Sequence, residues 1–514
     1  MFANRNRKEV TVKQQLVKIL ATQGRFVLAV CVVLLMSAAF AADVNFPNSD
    51  SSGDLMSEAA WNGPVPASDR PKIASAGTYT CSTNGTLPGL TFTFTGNKTA
   101  DMNLAADRRV KMTGHLYLGA SKTINFNGGT WDFGGTAGTQ AGDYGAVKNV
   151  NVVQDACAIT NLSNFAPCYN PSGLVSWKLQ NQSVLHTVGY FRPDSSGNGA
   201  VNVFIESGSI AYAGGALRLG ARNDGNRNDV DQSVVVDGAG TSLGFGASDT
   251  TSYVGQQLCG ARLEVRNGAM AKARGTLIIG KGDSVEGKPP TSNNVVRVEG
   301  SGSIMSIGTL FVGGSSNTLA NRLEVLDGAQ VDISYVTWYG RGNGIICSNG
   351  IVNVHQNARS ASETNTFVRV QGNRPLVKLS DAGVSQTNYK NGFRFIVDLP
   401  EDGYRYDDPD DCPIKSLNSV GCTDETTTFE INGIEAYQER MRRQNVRSER
   451  FRIAYIAHNE WNGWLTENKL AELNATLPEG AVLDSPQSSD EDIGRGRSLY
   501  LTIKVKLGIV LIVR

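Results

Sequence analysis

Leu263-Glu264-Val265-Arg266-Asn267-Gly268-Ala269, followed closely by Gly275-Thr276-Leu277-Ile278-Ile279-Gly280, is the phrase whose reading decides the fold. Its first half returns as Val203-Phe204-Ile205-Glu206-Ser207-Gly208-Ser209, Val234-Val235-Val236-Asp237-Gly238-Ala239 and Val296-Arg297-Val298-Glu299-Gly300-Ser301. It continues as Leu323-Glu324-Val325-Leu326-Asp327-Gly328-Ala329 and Val352-Asn353-Val354-His355-Gln356-Asn357-Ala358. The turn markers at 208, 238, 268, 300, 328 and 357 are 30, 30, 32, 28 and 29 residues apart. The second half recurs as Gly215-Ala216-Leu217-Arg218-Leu219-Gly220 and Gly308-Thr309-Leu310-Phe311-Val312-Gly313. A period in this range marks stacked units, each too small to bury its own apolar face.

The alternation Val/Leu-x-Val sends one set of side chains inward and turns Glu264, Arg297 and Glu324 outward. Gly, Asp or Asn at the marker tolerates a left-handed backbone, and the small residue after it keeps the corner slim. Apolar residues at i, i+3 and i+4 are absent, which excludes helices over this span. The fold expected is all-β, a parallel β-helix (solenoid) of about eight to ten coils with an N-terminal cap and a small C-terminal α/β or β cap. A β-sandwich competes, but its strands come at closer, less uniform spacing. Weaker repeats at Ile124–Gly128, Val150–Asp155 and Trp177–Asn181 set turns at 128, 155, 181 and 208, with spacings of 27, 26 and 27.

Working outward gives four regions. Residues 1–41 read as a signal peptide: Arg5, Arg7, Lys8, Lys13, Lys18 and Arg25 precede the apolar run Phe26–Phe40, and Ala39-Phe40-Ala41 sets cleavage after Ala41. An uncleaved anchor is the competing reading. Residues 42–110 read as a lead-in and cap, with strands at Thr78–Cys81 and Leu90–Phe94 and Trp61 as a packing aromatic. The solenoid takes residues 111–392. Residues 393–514 read as a C-terminal cap, with helices at Ile434–Asn445 and Glu467–Asn474, strands at Phe451–Ala457 and Leu499–Leu507, and an apolar tail Gly508–Arg514 too short to span a bilayer.

The 48 basic and 48 acidic residues cancel, so no overall field draws nucleic acid or a membrane surface. Glycine, 57 of 514 residues, suits a chain of many tight corners. Beyond the signal lie seven cysteines; Cys157–Cys168 and Cys412–Cys422 are near enough to staple loops, and the odd count leaves at least one thiol over.

No catalytic, cofactor-binding or metal residue is assigned. The loop from Arg222 to Asp231 offers Asp224, Asn226, Asn228 and Asp231 as oxygen ligands for calcium, but it lacks the glycine and the bidentate glutamate of an EF-hand. Asp407, Asp408, Asp410 and Asp411 are the other acidic cluster, and solvated loops are the plainer reading of both. Lys281 and Asp283 follow a strand with no third partner, while His115, His186, His355 and His458 read as ordinary surface or interior positions. No G-x-S-x-G elbow is present, and Gly134-Gly135 and Gly313-Gly314 read as solenoid corners rather than phosphate cradles.

The phrase Leu-x-Val-x-x-Gly-Ala followed by Gly-Thr-Leu-x-Ile/Val-Gly resembles the β-helix repeats of autotransporter passenger domains, and more broadly the pectin-lyase-like solenoids, over residues 115–380. The resemblance implies an extended stalk, secreted or at the cell surface, often adhesive. Residues 393–514 do not supply the many ten-residue strands of a translocator barrel, and the pectin-lyase catalytic carboxylate and Arg sets have no match here. The expected function is therefore that of an exported, cell-surface, outer-membrane-associated or extracellular solenoid with a structural or adhesive role. Glycans or host and cell-surface proteins are the expected partners, with end-to-end self-association as a further possibility. A polysaccharide lyase or glycoside hydrolase acting from a groove on the solenoid is the alternative; outward aromatics aligned along one face favour contact, and paired carboxylates in a cleft favour catalysis.

Overall fold

The computed structural model describes residues 43–45 and 53–506 apart from 62–64, 66–69, 95, 119–121, 136–138, 141–148, 168–172, 194–199, 221–231, 257–258, 283–289, 361–364, 382–386, 390–391, 409–410, 418–419, 423–426, 457–466 and 486–496. The signal-peptide residues, the Arg222–Asp231 loop, Asp283, Cys168, Asp410, His458 and the apolar tail all lie outside the described residues.

The chain winds as a parallel β-helix with three faces. Fifteen strands stack on the first face, from Gly53–Asp54 through Val201–Glu206 and Arg262–Arg266 to Thr428–Asn432. This ladder starts before residue 110 and runs past residue 393, so the winding takes in parts of both stretches expected as caps, and its rungs outnumber the expected coils. The weak repeats are rungs too, at Lys122–Asn127, Val150–Asp155 and Val175–Gln180. Along the second face, Ile210–Ala213 pairs with Ser242–Phe245, and that strand with the start of Met270–Lys281. The third face is a separate five-stranded sheet in the first coils and later rests on Arg218–Leu219 and Thr251–Gln256. Met270–Lys281 bends across both faces, its first residues pairing with Ser242–Phe245 and its last with Thr251–Gln256.

The inward alternation fills the core. Val203, Ile205, Leu263, Val265, Leu323 and Val325 are wholly buried, each site contributing about 1.5–3 kcal/mol relative to exposure. At the corner between first and second faces two successive left-handed residues turn the chain, as in Asn267-Gly268 (φ 56° and 82°). The small residue that follows points inward and binds the neighbouring coil: Ser209 Oγ accepts from Ser183 N (3.1 Å), and Ser303 Oγ from Gly268 N (2.9 Å). The hydroxyl residue that ends the corner is thus the ladder residue, with Ser183, Ser209, Thr241 and Ser303 fully buried.

The corner leading back to the first face carries a second ladder, which the repeat does not announce. Asn294, Asn321 and Asn343, each immediately before a first-face strand, are fully buried and bond in series: Asn294 Nδ2 donates to Asn321 Oδ1 (2.9 Å), and Asn321 Nδ2 to Asn343 Oδ1 (3.0 Å). The chain capped by these amides changes length from coil to coil without disturbing the rungs.

One repeat was expected in the wrong place. Val352-Asn353-Val354 belongs to the second face, where Val352 pairs with Val331 and Val354 with Ile333. The first-face strand of that coil is Gly344–Ser348, and its corner is Asn349-Gly350 rather than Asn357. The same Val-x-Val alternation fits either face, so the pattern alone could not choose between them.

At the C-terminal end parallel pairing gives way to antiparallel. Ser448–Ile456 pairs in parallel with Ile414–Ser416, then antiparallel with Arg497–Lys504, which pairs with Ala481–Asp484. Helix Ile434–Arg443 buries Ile434, Tyr437 and Met441, and Tyr437 packs edge-on against Phe451 at 5.2 Å. This is the small α/β cap the sequence suggests, together with helix Glu467–Ala475. At the other end Trp61 is buried, its Nε1 donating to Leu55 O (2.9 Å).

Candidate functional site: a cationic flank along the second and third faces

Outward side chains on the first face neutralise one another from rung to rung. Lys178 meets Glu206 (2.9 Å), Arg266 meets Asp237 (2.9 Å), Arg297 meets Glu324 (2.7 Å) and Arg394 meets Glu430 (2.6 Å). Parallel register causes this: Arg266 and Arg297 sit directly opposite their partners, about 4.8 Å away, and Lys178 and Arg394 reach diagonally to residues two further along the next rung. The Glu430 hydrogen bonds hold the Arg394 guanidinium above its ordinary pKa. Such pairs lie half in water and contribute little each. Most of the arginines described on this face are thus matched by a carboxylate on a neighbouring rung.

The flank where the second face bends into the third differs. His186 and Tyr212 occupy paired positions and their rings stack at 5.5 Å, nearly parallel at 9°. Gly244 pairs with Tyr212 on the next rung and has no side chain, and the space admits Arg274 from beyond it. The guanidinium of Arg274 lies 5.3 Å from the Tyr212 ring centre, and its Nη1 donates to the Tyr212 hydroxyl (3.2 Å). Round the bend, Arg218 lies 4.0 Å over the ring of Tyr190, one rung back. Tyr253, paired with Arg218, carries Lys281 Nζ 4.6 Å over its ring and 3.2 Å from its hydroxyl. These are cation–π contacts repeated on neighbouring rungs. Among the described residues Arg218, Lys272, Arg274 and Lys281 have no acidic partner, and Arg218 Nε is buried with no hydrogen bond. Asp249, in the exposed loop at the same bend, makes no ion pair with them.

Farther along the second face a polar cluster forms around His355. Nδ1 of His355 lies 2.9 Å from Asp381 Oδ2 and its Nε2 3.7 Å from Asp332 Oδ1. Asn353 donates to Asp332 Oδ1 (2.9 Å), Gln330 reaches both Asp332 oxygens, and Lys378 Nζ is 2.5 Å from Asp381 Oδ1. Burial raises the Asp381 pKa, but hydrogen bonds and charge from Lys378 and His355 outweigh it and hold the carboxyl below its ordinary value. His355, read from sequence as an ordinary position, is therefore the centre of an acid–base cluster. Its partners lie a coil away in the chain, so no local motif marks them.

The remaining sequence candidates are dispersed. His115 packs edge-on against Tyr117 (5.9 Å). Asp407 and Asp411 diverge, the first to Arg374 (3.1 Å) and the second to Lys415 (3.1 Å). Among the described residues no group of three or more His, Cys, Asp or Glu side chains is placed to hold a metal ion. Cys157 and Cys412 are free, buried thiols, and the side chains of Cys168 and Cys422 lie outside the described residues. Among the described residues no helix is long and apolar enough to cross a membrane. Comparison with protein-family models, with curated proteins and with solved structures finds no match.

Proposed function

We propose that this chain is an exported surface protein, a stiff β-solenoid with an adhesive role whose contact surface is the flank between the second and third faces. The observation that carries the reading is the alignment on one flank of outward aromatics, Tyr190, Tyr212 and Tyr253, with cations that have no acidic partner among the described residues. Charge pairing is what this scaffold does wherever register permits, so the stretch that forgoes it is the stretch free to meet another molecule. Export rests on the basic, apolar and small-residue order of residues 1–41. Cell fractionation with an antibody to the solenoid, joined to a glycan and host-protein array probed with the full chain, tests both halves. Retention of the protein inside the cell, or an array without any contact, would sink the proposal.

A second reading is enzymatic, and the Asp381–His355 contact favours it. An imidazole oriented by a carboxylate at Nδ1 presents Nε2, here facing Asp332, as the candidate base. Against this stand the satisfied bonds of Asp332 and Asp381, which make the cluster resemble the cross-rung networks of the first face. Assay of chain cleavage over neutral and acidic polysaccharides decides it: product formation abolished by His355→Gln would establish the second reading.

A further inference from the structure

The flank has a definite chemistry, and it selects among contact partners. We propose that it binds an acidic polysaccharide, whose carboxylate or sulfate groups are taken by Arg218, Lys272, Arg274 and Lys281. This rests on the adhesive reading above and narrows it to one ligand class.

Three observations support the assignment. First, the cations are held rather than loose. Arg218 lies over Tyr190 at 4.0 Å, Arg274 is tied to the Tyr212 hydroxyl at 3.2 Å, and Lys281 to the Tyr253 hydroxyl at 3.2 Å. A guanidinium laid on a ring keeps its fork of N–H donors at the ring's edge, the geometry that accepts a carboxylate or sulfate in two places. Ordering these side chains in advance removes part of the entropy cost of binding. Second, their charge is uncompensated among the described residues, whereas the first face pairs its arginines across rungs. Third, each ring already carries a cation on a face, and Tyr212 is covered on both. Tyr212 has His186 on one side and Arg274 on the other, and Tyr253 lies under Lys281. Neutral sugars and the bases of single-stranded nucleic acid are both held largely by stacking on free aromatic faces. A surface of donors whose aromatic rings already hold cations suits a polymer that brings charge and hydroxyl groups instead. Lys272, Arg274 and Lys281 share the strand Met270–Lys281 and Arg218 lies two rungs before it, so the cations form one patch round the bend that several acidic groups of a polymer meet together.

The test is titration of the full chain, by calorimetry, with a carboxylated polysaccharide, a sulfated one, a neutral one and a single-stranded oligonucleotide, at two salt concentrations. Binding to a carboxylated or sulfated arm is expected, weakening as salt rises. Arg218→Gln, Arg274→Gln and Lys281→Gln are each expected to lower that affinity about tenfold, while Arg394→Gln on the first face, a loss of the same charge, leaves it unchanged. Arg274 is exposed, so its variant keeps the fold even where Arg218→Gln does not; melting curves verify this. Equal binding of the neutral polymer, tightest binding of the oligonucleotide, or equal loss in the Arg394 control would overturn the inference. If the array contacts persist in all three flank variants, the adhesive reading stands and this assignment falls. If the wild type contacts nothing, both fall.

Discussion

Asn294 and Asn321 share one carbonyl: Oδ1 of Asn321 accepts both the side-chain Nδ2–H (2.9 Å) and the main-chain N–H (3.1 Å) of Asn294. Asn321 in turn donates to Thr291 O (3.1 Å) and Asn343 Oδ1 (3.0 Å). Asn294 therefore depends on Asn321 in the next coil, and Asn321 on Asn343 in the one after.

Replacing Asn321 with Ala removes the shared acceptor of the buried Asn294 main-chain N–H and of its side-chain Nδ2–H, at a cost of about 3 kcal/mol. Asn353→Ala, on the outward second face, costs about 1 kcal/mol or less. Urea unfolding of the two variants measures the difference; equal losses would mean that the buried ladder carries no special weight.

Glycine in this corner answers to two demands that a pair of variants separates. Gly280 has φ 74°, and a Cβ there falls 2.3 Å from Asn321 Cγ; Gly260 has φ 79° with open space around it. Gly260→Ala pays only the left-handed backbone penalty, about 1–2 kcal/mol. Gly280→Ala adds the clash, and its melting temperature is expected to fall well below that of Gly260→Ala. Matching melting temperatures would refute the steric account.

Lys122 points inward, 1% exposed, with Nζ donating to Phe92 O (2.7 Å) and lying 4.5 Å over Phe94. Burial pulls its pKa down from the ordinary lysine value of 10.5 to about 8. Below pH 8 the folded and unfolded chains both carry the charge, and folding bears its full desolvation cost. Between about pH 8 and 10.5 the unfolded chain binds more protons, so this residue's contribution to stability improves as pH rises. Unfolding of Lys122→Met beside the wild type, from pH 7 to 10, is expected to show the wild type gaining on the variant. A constant difference between them would contradict the assignment.

The described thiols differ sharply in access. Burial pushes the Cys81, Cys347 and Cys412 thiols up to about 12 and raises Cys157 as well, whereas Cys259 is half-buried beside Ser292. Since the thiolate is the reactive form, an alkylating reagent is expected to modify Cys259 in the folded protein and the other four only in denaturant. Peptide-level mass spectrometry reads this directly, and early labelling of Cys347 would speak against the packing.

The rungs were legible because their signal is local. Leu263-x-Val265 sets the inward face and Gly268-Ala269 the corner, all within one short phrase. Even there ambiguity remained where two faces share a pattern, which is why Val352-Asn353-Val354 was expected a face away from its position. The asparagine ladder was illegible because the loop before each amide differs in length and composition, so nothing recurs at a fixed interval. The flank was hidden for a related reason. Arg274 meets Tyr212 only because Gly244 intervenes without a side chain, a relation that exists in register and not in sequence order. His355 gathers Asp332 and Asp381 by the same route.

Met270–Lys281 is one unbroken strand round the bend from second to third face, while the stretch from Gly280 to Asn294 is far longer than that from Gly340 to Asn343. Tolerance to added chain is therefore lopsided round the circumference. A foreign peptide grafted ahead of an asparagine rung lengthens an already variable span, but one inserted at Arg274 splits a continuous ribbon and displaces every cation on it. The molecule thus has a side for novelty and a side for constancy, and the latter carries the cations of the proposed contact flank.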